Sequence, residues 1–304
     1  MLVFADHALE TYFPEFREKN HLAHHLGRLG VLLFFVHTAR VLMSSLERIG
    51  SARAFYVRRI FRIYPLAIVC IILALVFAVP PVPWREYAPH DWADLASNFL
   101  LTQNLTWSPP VIGPLWSLPI ELQMYAVLPL IYVLRRHIWV IFGLSVFGAV
   151  FIAPFSDVLG VIKYAPCFVA GVIAFTSNEP DRPIQGWLWF LALVVIVYVG
   201  LELVIPGIHN IWLQIGVCLV VGLAIPRFAQ IRAQWFNTLS NRIARYSYGI
   251  YLFHCAALWA APELFSAIIL TAVMSIASYH YIEAPMIRLG SRLSAGSREK
   301  VLAT

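Results

Sequence analysis

The fold of this chain is decided where three arginines meet a long apolar run, in the sequence Arg58-Arg59-Ile60-Phe61-Arg62-Ile63-Tyr64-Pro65-Leu66-Ala67-Ile68-Val69-Cys70. The run continues through residues 64–80 without a charged side chain. A helix needs about 20 largely apolar residues to cross the hydrocarbon core of a bilayer. This stretch therefore predicts a membrane-spanning helix that enters the bilayer just after its arginines.

Composition extends this prediction to the whole chain. Of 304 residues, 60% are hydrophobic and 12% are charged, whereas an ordinary soluble domain has about 25% charged residues. The mean hydropathy is +0.75. A soluble fold of this length would expose large apolar patches to water, so the composition excludes one. The four cysteines lie in apolar stretches without motif spacing, which indicates buried side chains and neither disulfides nor a metal site.

The positive charge of the chain has a distribution that speaks against nucleic acid. The formal net charge is +6, but the arginines stand in short clusters between apolar runs. Such clusters are typical of the cytoplasmic loops of membrane proteins. We therefore expect a lipid bilayer and no nucleic acid as the surroundings of this chain. The first residues lack the basic region and cleavage site of a signal peptide.

Apolar runs predict an all-α, polytopic bundle with about ten spans. The segment from Met1 to Phe13 would be the first span, although it is about 20 Å long and a full crossing needs about 30 Å. We interpret it as the second half of a truncated helix. The other nine runs are residues 29–47, 64–80, 115–134, 138–154, 161–176, 185–205, 209–225, 246–261 and 264–282.

Lysine and arginine predict the orientation of these spans. With ten crossings, sixteen basic residues fall in one set of connections and five in the other. The basic set faces the cytoplasm by the positive-inside rule, so both termini should be cytoplasmic. The five residues of the opposite set are Arg17, Lys19, Arg28, Arg85 and Lys163, and Arg40 stays inside a span.

The longest connection on the opposite side covers residues 81–114. Its two ends are rich in proline, which favours turns over regular structure. Loops of this length are usually functional or disordered. The aromatic residues of this connection could equally anchor the chain at the interface, and they are Trp84, Tyr87, Trp92 and Trp107.

Ionisable and polar residues inside the spans are the candidates for function, because burying them in hydrocarbon is costly. Arg58 and Arg62 are four residues apart and share a helix face. Their guanidinium groups suit a phosphate-bearing ligand; the alternative is that they only fix the topology.

A second group of candidates lies at the start of the fourth span, in Leu115-Trp116-Ser117-Leu118-Pro119-Ile120-Glu121-Leu122-Gln123-Met124-Tyr125. Its polar members could line a water-filled cavity, or could form an interfacial aromatic belt with a solvated glutamate. A third group is the aromatic run from Tyr246 to His254, followed by Tyr281-Ile282-Glu283-Ala284-Pro285.

In this order, these segments resemble the membrane acyltransferase-3 family. The resembling pieces are residues 30–36, 58–65, 115–125, 246–254 and 281–285. The resemblance implies a single membrane domain over residues 1–304 that moves an acyl group, by default acetyl, from cytoplasmic acyl-CoA to a hydroxyl. The acceptor would be extracytoplasmic, by default a carbohydrate of a glycan, and the membrane would be the bacterial inner membrane. Acyl-CoA would be the donor substrate, with no permanently bound cofactor.

The same resemblance implies roles for individual residues. His7 matches the histidine of the family's first-helix motif and would act as general base or as acyl carrier. Glu121 would orient the acceptor or the imidazole. Arg58, Arg59 and Arg62 would hold the phosphates of coenzyme A, with Arg40 as a further cofactor-binding residue. Additional site residues would be His37, Trp116, Ser117, Tyr125 and His254.

Three departures from the family pattern leave alternatives open. The arginine that should precede His7 would fall before Met1, residues 37–40 read His-Thr-Ala-Arg instead of an uncharged run, and Leu122 replaces an acidic residue of many relatives. A transporter or flippase-like carrier would also suit intramembrane arginine and histidine. A non-catalytic family member is the third reading.

Overall fold

The fold is known from a computed structural model, which describes residues 2–20, 25–83, 86, 91–155, 160–204 and 211–302. All regular elements in these ranges are helical, as expected. The α-helices are α1 (Leu2–Tyr12), α2 (Pro14–Lys19), α3 (Leu26–Ile49), α4 (Ala52–Val76), α5 (Trp92–Leu100), α6 (Gln103–Thr106), α7 (Leu118–Val133), α8 (Ile138–Phe147), α9 (Gly160–Thr176), α10 (Leu188–Val204), α11 (Ile211–Ala224), α12 (Gln234–Ala260), α13 (Leu264–Ser278) and α14 (Ala284–Leu302).

Several of these helices are long and apolar enough to cross a membrane. Within the described ranges, five stretches qualify by length and composition: Leu26–Ile49, Ala52–Val76, Gly113–Val133, Arg135–Phe155 and Leu264–Ala295. Three shorter apolar helices are Gly160–Thr176, Leu188–Leu201 and Ile211–Arg227. The 11 residues of α1 extend about 15 Å, half of a hydrocarbon core. The membrane-embedded helical class is confirmed, whereas the count of ten spans stays a prediction.

Two helices begin well before the apolar runs that predicted them. The run at 64–80 belongs to α4, which begins at Ala52 because the hydroxyl of Ser51 accepts a bond from the Ala54 amide. The run at 246–261 likewise belongs to α12, which begins at Gln234. Hydropathy marks only the part of a helix that suits hydrocarbon, while backbone hydrogen bonding continues into its polar ends.

The connection 81–114 is irregular at its proline-rich ends, as predicted, but it contains α5 and α6 between them. The start of α5 is capped by Asp91, whose carboxylate accepts a bond from the Asp94 amide at 2.7 Å, and this capping signal was overlooked. Trp92 and Trp107 are exposed, whereas Trp84, Tyr87 and Arg85 lie outside the described residues.

The contacts of the chain fall into two compact units, each built from separate stretches. The first unit comprises Met1–Leu9, Phe13–Ser44 and Ile120–Thr238. The second comprises Glu10–Tyr12, Ser45–Pro119 and Leu239–Thr304. One domain over residues 1–304 therefore stays a prediction.

The first unit is organised around α9, which is buried along its length from Tyr164 to Ala174. The ring of Phe35 on α3 stacks on Phe168 of α9 with centroids 4.4 Å apart. Glycine allows two close helix contacts, because a side chain at Gly171 would meet the Val36 carbonyl and one at Gly222 would meet the Ala170 carbonyl. Small residues at such contacts are typical of helix packing in membranes.

The second unit packs α4 against α14 and α12 against α13. A side chain at Gly290 of α14 would come within 2.7 Å of Phe61 on α4. Gly249 of α12 similarly lies against Ser275 and Ser278 of α13. Between α13 and α14 the helix widens into a π-helical turn, Tyr279–Glu283, which changes the direction in which the following side chains point.

The four cysteines are free and buried, as the sequence predicted. Cys167 and Cys218 lie in the first unit, and Cys70 and Cys255 in the second.

Two glycines of α11 provide a test of this close packing. Gly222→Ala should destabilise the protein by about 1–3 kcal/mol, because the added methyl group meets a backbone carbonyl that has no rotamer to change. Gly216→Ala is the matched control, since nothing lies within 4 Å of its added Cβ, and it should be neutral or stabilising by up to about 1 kcal/mol. Thermal unfolding in detergent measures both, and equal unfolding temperatures would contradict the packing.

Candidate functional site

The arginines at the start of α4 form the first candidate site, in the second unit. Arg58 and Arg62 lie on the face of α4 that packs on the last helix, as their spacing predicted. The Nε of Arg58 donates a hydrogen bond of 2.9 Å to the hydroxyl of Ser294, a residue that is 2% exposed. This bond uses one of five guanidinium donors and fixes the plane of the group.

Arg62 is held by a buried carboxylate. Its Nη1 lies 2.5 Å from Oε2 of Glu283, whose side chain is fully buried. The π-helical turn that ends at Glu283 brings this side chain toward α4. The guanidinium carbon of Arg62 also lies 5.7 Å from the ring centroid of Tyr248 on α12. Moving Arg62 away from Glu283 would leave a buried carboxylate without a compensating charge, which is costly. The ion pair therefore fixes the position of Arg62.

The cluster brings three cations close together. Arg58, Arg59 and Arg62 lie within five residues of α4, and Glu283 pairs with Arg62. The guanidinium carbon of Arg59 lies 5.8 Å from the ring centroid of Phe55, one turn earlier on α4. The cluster can therefore attract an anion such as a phosphate group, for which the planar donors of arginine are suited.

Ser117 and Tyr251 form the centre of the second candidate site, also in the second unit. Residues Gly113–Trp116 form a short 3-10 turn, which presents Ser117 just before α7. The hydroxyl oxygens of Ser117 and Tyr251 are 2.6 Å apart, and the Tyr251 hydroxyl lies 3.0 Å from the carbonyl oxygen of Pro114. Ser117 is 2% exposed, whereas Trp116 is 36% exposed.

His254 joins this site through the backbone of Tyr251. Its Nδ1 lies 2.7 Å from the Tyr251 carbonyl oxygen, one turn earlier on α12. A carbonyl only accepts hydrogen bonds, so Nδ1 carries the proton and Nε2 of the neutral ring is the basic nitrogen. The side chain is 1% exposed. This arrangement leaves Nε2, which lies 3.5 Å from Sγ of Cys255, as the nitrogen that can accept a proton.

His7 lies in the first unit beside an ion pair. The neighbouring Asp6 is 8% exposed, and its Oδ1 lies 3.5 Å from Nη2 of Arg17. Arg17 also interacts electrostatically with His7. A side chain at Gly27 would come within 2.5 Å of the Asp6 carboxylate, so glycine gives α1 and α3 the space to meet there. The predicted catalytic histidine therefore lies next to the Asp6–Arg17 ion pair in the first unit.

The other predicted residues of the first unit are divided between two helices. On α7, the hydroxyl of Tyr125 donates a hydrogen bond to Oε1 of Glu121, one turn earlier. Both side chains are 5% exposed, which contradicts the alternative of a solvated interfacial glutamate. On α3, His37 is exposed and Arg40 is half-buried.

Three groups at these sites were missed by the sequence analysis. Glu283 was quoted as part of a motif but received no role, although an acidic residue between apolar stretches is a functional candidate by default. Tyr251 lay in a run of tyrosines that gave no reason to choose it. The pairing of Asp6 with Arg17 joins α1 to α2, and only the fold shows this contact.

Comparisons with known proteins were made for the whole chain. The profile of a family described as an acyltransferase domain, acyltransferase 3, matches residues 1–284. The curated protein "Acyltransferase MdmB" of Streptomyces mycarofaciens is 31% identical over 207 residues, which are 62% of this chain and 49% of that protein. The match therefore spans about half the length of this relative. No solved structure matches.

The family match covers all the residues that build both candidate sites except Ser294. It also agrees with the resemblance that the motifs predicted, and it disfavours the carrier reading. The chain therefore belongs to the acyltransferase-3 family.

Proposed function

We propose that this protein moves an acyl group from acyl-CoA, bound at the arginine cluster of α4, to a hydroxyl of an acceptor on the opposite side of the bacterial inner membrane. The observation that carries the proposal is the cluster of Arg58, Arg59 and Arg62, with Glu283 paired to Arg62, on α4, a helix long and apolar enough to cross a membrane. It suits the phosphates of coenzyme A. Acetyl is the default acyl group and a glycan carbohydrate the default acceptor, since the family resemblance implies both.

The two candidate sites of the second unit are linked by α12. The hydroxyl of Tyr248 donates a bond of 2.8 Å to the Ile63 carbonyl beside the arginines, while Tyr251 contacts Ser117. Three residues of an α-helix rise about 4.5 Å. The two sites are therefore contacted from positions one turn apart on α12, which supports a donor bound at the arginines and a transfer point near Ser117.

The proposed transfer can be written with its atoms in balance. A histidine accepts the proton of the acceptor hydroxyl, and the oxygen attacks the thioester carbonyl. The carbon–sulfur bond then breaks, and the proton passes to the sulfur of coenzyme A. In the alternative scheme an imidazole nitrogen first takes the acyl group and then passes it to the acceptor. We assign the histidine role to His7, and the role of orienting the acceptor or the imidazole to Glu121.

The orientation is the first test of this proposal. A reporter fused after Thr304 should read cytoplasmic, and one inserted near Trp92 should read extracytoplasmic, because basic connections stay inside. Alkaline phosphatase and green fluorescent protein fusions measure the two sides. Both fusions reporting the same side would contradict a donor and an acceptor on opposite sides.

Donor binding is the second test. Arg58→Gln and Arg59→Gln should each weaken acyl-CoA binding by about 10–100-fold, because a hydrogen bond to a charged group contributes about 1.5–3 kcal/mol. Calorimetric titration at two salt concentrations measures this, and salt should weaken the wild-type interaction. Arg53→Gln is the matched control, an exposed arginine five residues earlier on the same helix. If all three variants bind equally well, these arginines serve topology alone.

Catalysis is the third test. His7→Ala should lower the rate of acyl transfer by about 10²–10⁴-fold, the usual contribution of a general base. Membrane-inserted protein should remain, and transfer from radiolabelled acetyl-CoA in membranes measures the rate. His254→Ala, His37→Ala and Glu121→Gln are made in parallel.

The comparison among these variants decides between the histidines. A large loss in His254→Ala with most activity kept in His7→Ala would assign the base to His254, whose basic nitrogen is Nε2. A large loss in Glu121→Gln at normal abundance would place the Glu121 carboxylate at the chemistry.

A further inference from the structure

The segment between α4 and α7 reaches far back along α4, within the second unit. The hydroxyl of Tyr64 donates a hydrogen bond of 3.0 Å to the Leu100 carbonyl at the end of α5. Tyr64 precedes Val76, the last residue of α4, by about 18 Å of helix. A tyrosine side chain is roughly 7 Å long at bond lengths of about 1.5 Å. Even a side chain lying along the axis leaves the Leu100 carbonyl roughly 8 Å inside that end of α4.

A second measure of depth comes from α12. The Tyr251 hydroxyl contacts Pro114 and Ser117, and Tyr251 precedes Ala260, the last residue of α12, by about 14 Å of helix. Helical side chains lean toward the N-terminus of their helix, which carries these contacts further from the end. The Leu100 end of the segment therefore lies inside the length of α4, which is long and apolar enough to cross a membrane, and the Ser117 end lies inside the length of α12.

The irregular backbone of this segment is satisfied by side chains. Asn98 is 0% exposed; its amide nitrogen donates to the Pro109 carbonyl at 2.9 Å, and its oxygen accepts from the Val111 amide at 3.0 Å. Gln103 is 3% exposed and donates to the Leu115 carbonyl at 2.8 Å. In hydrocarbon, non-helical backbone is tolerated only where protein or a water-filled cavity satisfies it. The side-chain amides of Asn98 and Gln103 thus supply the hydrogen bonds that water would supply to the backbone of a surface loop.

Four apolar side chains of the segment point away from the protein. The exposed fractions are 86% for Trp92, 61% for Leu100, 46% for Leu105 and 64% for Trp107. A loop in water would gain nothing from these side chains, whereas acyl chains and the interface would accommodate them. The depth of the segment, the hydrogen bonds to its backbone and the exposure of its apolar side chains all indicate that it lies in the bilayer.

We propose that residues 91–117 form a re-entrant element, which enters the bilayer from the side of the C-terminal end of α4 and returns to it without crossing. Bilayer lipid covers its exposed apolar face, Tyr64 holds it at Leu100, and Tyr251 holds its end at Pro114 and Ser117. The element seats Trp116 and Ser117 below the membrane surface. If Ser117 lies at the transfer point, which rests on the proposed function, the acceptor hydroxyl enters the fold and receives its acyl group within the thickness of the bilayer.

Depth-dependent fluorescence quenching tests this element without any turnover, so the outcome is independent of the proposed function. A single cysteine at Leu100→Cys is labelled with a fluorophore in the full-length protein and placed in phosphatidylcholine vesicles. The lipids carry nitroxides either near the headgroups or deep in the acyl chains. The wild-type chain is the background control, because its four cysteines are buried.

Exposed positions on α4 calibrate the measurement. Labels at Ile60→Cys, Ile72→Cys and Val76→Cys mark increasing height along one helix. The Leu100 label should lie between those at Ile60 and Ile72 and be quenched most by the deep nitroxides. A Leu100 label at or outside the depth of Val76 would overturn the proposal. If Leu100→Cys does not fold, Ala96→Cys replaces it, because Ala96 lies one turn earlier on the same exposed face. The depth of its label is compared with that of the Val76 label in the same way.

Discussion

The structure depends on one constraint, which is that hydrocarbon offers no hydrogen bonds to the backbone. Long helices satisfy it locally, and they make up the five stretches that can cross a bilayer. Where the chain leaves the helical conformation beside them, buried amides take over, as Asn98 does for Pro109 and Val111. The same rule explains why the polar side chains of Asn98 and Gln103 are buried in an otherwise apolar fold.

Buried carboxylates need partners even more than backbone groups do. The carboxylate of Glu283 is fully buried and pairs with Arg62, while that of Glu121 accepts from Tyr125. Taking a charge out of water costs several kcal/mol unless a partner compensates for it. A fold selected for stability alone would do as well with apolar residues at these positions. Their partners fix the positions of these carboxylates.

Much of this fold could be predicted from sequence, because apolar length reports membrane helices directly. The run at 64–80 located α4, and the spacing of Arg58 and Arg62 gave their common face. The helical ends and α5 were not found, since capping by Ser51 and Asp91 depends on single side chains. The contacts of Tyr251 and Glu283 join residues more than 100 positions apart. No periodicity encodes such pairs, so only tertiary structure reveals them.

The second unit suggests how a bound donor would reach a transfer point. Tyr248 and Tyr251 stand one turn apart on α12; the first contacts the arginine end of α4 and the second contacts Ser117. Because both contacts belong to one rigid helix, the distance between the arginine cluster and Ser117 is set by helix geometry and not by a flexible loop. Gly249 lies between these tyrosines and lets α12 rest against Ser275 and Ser278 of α13. A side chain at this position would push α12 away from α13 and would disturb both tyrosine contacts together. The close packing of α12 and α13 is therefore part of the site, although neither Gly249 nor the serines touch the reacting groups.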